Sequence, residues 1–158
     1  MILYVLRHGE AEPKNASIRD EERRLSPSGT AQLRKTLSFA KHIGARIDRV
    51  ISSPLVRAKE SSQIAAEVLG IKEILVSNSL EPESEPSMIY SELSKWNEND
   101  SMALVTHQPL VTNFLQDLLG IEINMNLQTG SLARVDVEGH PSSGSGTLVY
   151  LLSGKIQT

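Results

Sequence analysis

Apolar and polar positions along the chain follow two periods in turn. Ile2 to Leu6 is an unbroken apolar run, which predicts a strand buried on both faces. A polar loop follows from Glu10 to Ser26. Leu33, Leu37, Ala40 and Ile43 then recur at helical spacing, with Ser28 as the expected N-cap and Gly44 as the stop. Arg49 to Ser53 predicts a short strand. Ser53-Pro54 reads as a cap followed by proline at the first helical position. The helix it opens turns Ala58, Ala65, Val68 and Leu69 inward and stops at Gly70. Ile74 to Val76 predicts a third strand, and the Pro- and Glu-rich stretch Glu81 to Ser87 a loop. Ile89, Leu93 and Trp96 mark the next inner stripe. Met102 to Thr106 predicts another buried strand. His107-Gln108-Pro109 follows it, then a helix with Val111, Phe114, Leu115 and Leu118 on one face, closed by Gly120. Ala133 to Val137 and Thr147 to Leu152 predict two strands joined by the mobile loop Gly139 to Gly146.

Strands alternating with helices argue for an α/β fold. The expected form is a three-layer sandwich, with a mostly parallel central sheet, helices on both faces and a C-terminal antiparallel hairpin. The 158 residues show no internal repeat or linker, so one domain over residues 1–158 is expected. A net charge of -3 disfavours a nucleic-acid partner. The chain has no cysteine, which excludes disulfides, thiol catalysis and Zn–Cys sites. No segment approaches the ~20 apolar residues of a membrane span. The first apolar run is too short for a signal peptide, so the cytoplasm is the expected compartment.

Three predicted strand ends carry unusual residues. The first delivers Arg7 and His8, followed by Gly9 and Glu10. The second delivers Ser52-Ser53-Pro54-Leu55-Val56-Arg57. The fourth delivers His107. In open α/β sheets, ligands bind outside the carboxyl ends of the strands. If these strands are parallel, two arginines and two histidines meet on one rim, beside helix starts whose free N–H groups favour an anion. A guanidinium clamps two phosphate oxygens at once, and an imidazole nitrogen can attack phosphorus. Singly, Arg7-His8 could form a strand-end ion pair, Arg57 could be a solvated helix residue and His107 a helix cap. Together they are hard to explain as packing.

Arg7-His8-Gly9 resembles the signature of the phosphoglycerate mutase-like histidine phosphatases. Ser52-Ser53-Pro54-x-x-Arg57 resembles that superfamily's second arginine segment, and Val105-Thr106-His107 its second histidine segment. Arg23-Arg24-Leu25-Ser26-Pro27-Ser28-Gly29 is similar to its Arg-x-Leu-Ser/Thr-x-x-Gly stretch. There Arg23 would be a further phosphate-binding arginine, with Arg19 and Arg24 as alternatives. Gln128-Thr129-Gly130-Ser131 fits a small polar segment near the pocket. The short chain and the Arg-x-Leu spacing look most like the SixA-type phosphohistidine phosphatases.

The resemblance implies that His8 attacks phosphorus and becomes a phosphohistidine. Arg7, Arg57, Arg23 and His107 would stabilise the phosphoryl oxygens, with Gly9, Glu10, Glu81 and Ser131 lining the substrate site. Side chains would supply the cations, so no metal or other cofactor is implied. One departure matters. The family's usual proton donor would fall at Pro82, and the alternative one at Gln108. Glu81, Glu83 and Glu10 are the remaining candidates, or the glutamates form only an acidic loop. A missing acid hurts an alcohol leaving group most, because imidazole leaves more readily. This favours phosphohistidine on a protein, such as a phosphorelay or phosphotransferase component. The alternatives are a broad phosphomonoesterase or mutase acting on a small phosphate ester, and a non-catalytic phospho-binding module.

Overall fold

The computed structural model describes residues 1–155. In chain order its elements are β1 (Ile2–Arg7), α1 (Pro27–His42), β2 (Arg49–Ser52), α2 (Val56–Leu69), β3 (Glu73–Val76), α3 (Pro86–Leu93), β4 (Ser101–Thr106), α4 (Leu110–Leu119), β5 (Leu132–Val137) and β6 (Gly146–Leu152). The six strands form one sheet in the order β3-β2-β4-β1-β5-β6. The first four are parallel to one another. β5 runs antiparallel to β1 and pairs with β6 as the expected hairpin.

Side chains alternate across a strand, and the core divides accordingly. Leu3, Val5, Met102, Leu104 and Val135 pack with α3 and α4 on one face. Tyr4, Leu6, Ala103, Val105 and Leu132 pack with α1 and α2 on the other. The uninterrupted apolar runs of β1 and β4 therefore have a simple cause, since both faces of these strands are covered. No helix among the described residues is long and apolar enough to cross a membrane.

Several boundaries differ from the sequence expectation. Ser26, not Ser28, caps α1. Its hydroxyl accepts the Gly29 N–H at 3.0 Å, and Pro27 takes the first helical position, where its missing N–H costs nothing. α2 starts at Val56, two residues past Pro54. The Ser53 hydroxyl accepts the Leu55 N–H at 3.3 Å and contacts a histidine as well. α3 ends at Leu93, so Trp96 lies beyond it, where the Arg49 guanidinium stacks 4.4 Å from its ring.

Register fixes what comes next. Arg7 pairs with Thr106 and Ser52 with Val105. The strand ends are level, so His8, Ser53 and His107 emerge side by side.

Candidate active site

Two chain features hold the nucleophile candidate. The His8 N–H donates to the Thr106 carbonyl at 3.0 Å, which continues the β1–β4 ladder by one residue. The next N–H, that of Gly9, donates to the Ser61 hydroxyl at 3.0 Å, and Ser61 in turn donates to the Arg57 carbonyl at 2.7 Å. A Cβ on Gly9 would lie 3.2 Å from Leu25 and 3.3 Å from the Gly29 carbonyl, so this turn has little room for a side chain. Gly29 is tighter still: a Cβ there would overlap the Glu10 carbonyl.

His8 is buried. Its Nδ1 lies 2.6 Å from the carbonyl of Gly9, a contact that fits only if Nδ1 carries the proton. The lone pair then sits on Nε2. Arg57, at the start of α2, donates to that atom from Nε at 3.3 Å. Burial pulls the His8 pKa down to about 4, opposed by the Gly9 bond and assisted by Arg57, Arg7 and Arg23. The imidazole is therefore neutral at pH 7.

His107 stacks beside it, with ring centroids 4.9 Å apart. Its Nε2 lies 2.6 Å from the Ser53 hydroxyl, and its buried Nδ1 has no partner among the described residues. Burial lowers its pKa, with His8 and Arg57 adding to the effect. Arg7 donates from Nη1 to the Leu127 carbonyl at 2.5 Å, and its own pKa is lowered by burial and by Arg57. Three arginines thus face two neutral imidazoles. The arrangement attracts an anion and leaves one nitrogen lone pair in its midst.

Arg23 is the arginine of its charged run that reaches this cluster. Arg19 is exposed and paired with Glu22, and Arg24 is exposed. Arg23 donates to the Glu12 carbonyl at 2.9 Å and to the Asp20 carboxylate. Asp20 also accepts from Arg57, through its backbone carbonyl at 2.8 Å and through Oδ2 at 3.1 Å.

The remaining candidates are placed less centrally. The Glu10 side chain is exposed, and its carbonyl accepts from the Ser26 N–H at 2.9 Å. Glu81 is half-buried and Glu83 exposed; neither side chain makes an ion pair or hydrogen bond among the described residues. The Ser131 hydroxyl accepts the Gly154 N–H at 3.0 Å, and its carbonyl accepts the Arg7 N–H. Gln108 donates to Thr112 at 2.6 Å.

Sequence reasoning missed Asp20 and Ser61. Asp20 sits in an exposed single-turn 3-10 helix inside a run of charges, which by itself reads as a solvated face. Ser61 did carry a signal: it lies four residues after Arg57, on the buried face of α2, where an apolar residue is expected. No group of three or more His, Asp or Glu side chains converges as a metal site among the described residues. A cavity of about 750 Å³ opens at the opposite sheet edge, lined by Glu98, Asp136 and Glu138. It holds no arginine or histidine, so the chemistry selects the His8 rim.

Residues 3–81 match the model of the histidine phosphatase superfamily, branch 1. The phosphohistidine phosphatase SixA of Escherichia coli (strain K12) is 26% identical over 156 residues, spanning 97% of this chain and 94% of that protein. A solved structure of the protein histidine phosphatase SixA complexed with tungstate superposes with a TM-score of 0.87 at 25% identity, over 98% of this chain and 97% of that one. A SixA structure from Agrobacterium tumefaciens gives a TM-score of 0.84 at 22% identity, over 96% and 97%.

Proposed function

The chain belongs to the histidine phosphatase superfamily, and we propose that this phosphatase removes phosphoryl groups from phosphohistidine on a partner protein, through a covalent intermediate on His8. The observation that carries the reading is the hydrogen bonding of His8. Nδ1 is committed to the Gly9 carbonyl, and Nε2 offers its lone pair beside the Arg57 guanidinium.

In the first step the Nε2 lone pair attacks phosphorus as the substrate N–P bond breaks. The Arg57 Nε–H, released from that lone pair, turns to a phosphoryl oxygen. The leaving imidazole takes its proton from water. In the second step water attacks phosphorus, the Nε2–P bond breaks and inorganic phosphate leaves. Arg7, Arg23, Arg57 and His107 stabilise the charge on the equatorial oxygens. Residues 1–158 act as one domain in this reading, which the two core clusters on opposite faces of one sheet support.

The choice of phosphohistidine rests on the acid. Pro82 and Gln108 stand where a proton donor would be expected, and the Glu81 and Glu83 side chains make no hydrogen bond or ion pair among the described residues. Imidazole leaves with less help than an alkoxide does. SixA of Escherichia coli, similar over nearly the whole chain, bears the name phosphohistidine phosphatase, and this supports the same substrate class. A phosphorelay or phosphotransferase protein is the carrier that fits.

The test compares release of phosphate from a phosphohistidine protein, p-nitrophenyl phosphate and 3-phosphoglycerate by wild type and His8→Ala. Preference for the phosphohistidine, abolished by His8→Ala, supports the reading. Preference for the phosphomonoesters makes the protein a small-molecule phosphatase or mutase. Phosphate binding without turnover of any of them makes it a binding module.

A further inference from the structure

Among the described residues, Asp20 is the one carboxylate in ion-pair contact with both Arg23 and Arg57. Each of the three guanidinium nitrogens of Arg57 is engaged. Nε points to His8 at 3.3 Å, Nη1 to the Asp20 carbonyl at 2.8 Å and Nη2 to Asp20 Oδ2 at 3.1 Å. Arg23 holds Asp20 Oδ1 from Nε at 3.1 Å and from Nη2 at 2.9 Å. A phosphoryl group on His8 Nε2 would draw on the same N–H groups. A carboxylate and a phosphate are rival acceptors for one guanidinium.

The two partners differ in freedom. The Arg57 side chain is 6% exposed and fixed in the wall, whereas the Asp20 side chain is 48% exposed. The backbone carbonyl of Asp20 can keep hold of Nη1 while the carboxylate swings out to water. We propose that Asp20 is a tethered counter-anion. Its carboxylate holds Arg23 and Arg57 in the clamp until a phosphoryl group displaces it, and returns to them as inorganic phosphate leaves. Asp20 is thus a positioning residue that speeds product release at the expense of phosphate affinity. The inference rests on reading the His8 cluster as the phosphoryl site.

Inorganic phosphate is the probe, titrated by calorimetry and as an inhibitor of turnover. Asp20→Asn keeps an acceptor oxygen but removes the charge, and phosphate should bind roughly tenfold more tightly. That is the size expected for a unit charge facing a dianion at about 6 Å in high dielectric. Asp20→Glu restores the carboxylate and should stay within about threefold of wild type. Glu22→Gln removes the same charge from the same turn, but Glu22 pairs with Arg19, so phosphate binding should not change. A residue that only shaped the loop would weaken phosphate binding when altered, not strengthen it. Phosphate bound no more tightly by Asp20→Asn, or tightened equally by Glu22→Gln, overturns the counter-anion. A wild type that takes up no inorganic phosphate overturns the phosphoryl-site reading itself, and the counter-anion with it.

Discussion

Replacing His8 with glutamine removes one buried titrating group, and its charge state can then be read from stability against pH. His8 is 6% exposed, and burial sets its folded pKa at about 4. In the unfolded chain the same imidazole titrates near the usual ~6.5. Between these values the unfolded state binds the proton and the folded state does not. The destabilisation is therefore absent above about pH 7, grows as pH falls through 6.5 and is complete below about 4. A full shift of this size is worth about 3 kcal/mol, of which about 2 kcal/mol is already felt at pH 5. Urea unfolding at about pH 7.5 and about pH 5, in buffer free of phosphate, measures it. Wild type should lose about 2 kcal/mol more than His8→Gln across that interval, because burial, the main cause of the lowered His107 pKa, persists in both proteins. Parallel losses in the two proteins, or a His8 ring resonance titrating near 6.5, would refute the reasoning. The same shift bears on reactivity. At pH 5 roughly nine in ten His8 side chains would remain neutral and nucleophilic, against about three in a hundred for an unshifted histidine.

Arg57→Lys keeps the charge but loses the fork that joins His8 to Asp20, so kcat/KM should fall about 10²- to 10³-fold with the fold intact by circular dichroism. Glu81→Gln and Glu83→Gln should each leave phosphohistidine turnover within about threefold, whereas loss of turnover in either would identify the missing acid and favour an alcohol leaving group. Phe114→Ala opens a hole in a fully buried position packed against Tyr90 and should cost about 3–5 kcal/mol in urea unfolding. Gly29→Ala drives a Cβ into the Glu10 carbonyl, so it should lower the Tm and impair turnover together, by shifting the strand-end turn that carries His8.

The parts of this site that could be read from the sequence are those that the sheet itself organises. Apolar runs of β1 and β4 forced both strands into the middle of the sheet, and a parallel pair delivers its carboxyl ends to one rim. Arg7, His8 and His107 needed no more than that to be brought together. Arg57 followed from the short link between β2 and α2. The cap of α1 was misplaced by two residues because Ser26 and Ser28 flank Pro27 with equal cap chemistry; only the backbone bond from Gly29 distinguishes them. Asp20 failed for a deeper reason. Its partner Arg57 is 37 residues away, and no period connects a polar loop to a helix start. Within its own segment, charges of both signs recur at short spacing, as they do on any solvated turn. What marks Asp20 out is a guanidinium that is buried elsewhere in the chain and must find an acceptor. The same need explains why Arg23, and not Arg19 or Arg24, turns inward, since it is the one arginine of that run drawn to the carboxylate that Arg57 already holds. A buried cation thus orders a loop whose own residues give no instruction, and in the proposed mechanism a phosphoryl group arriving at His8 would meet that loop through the same two guanidiniums.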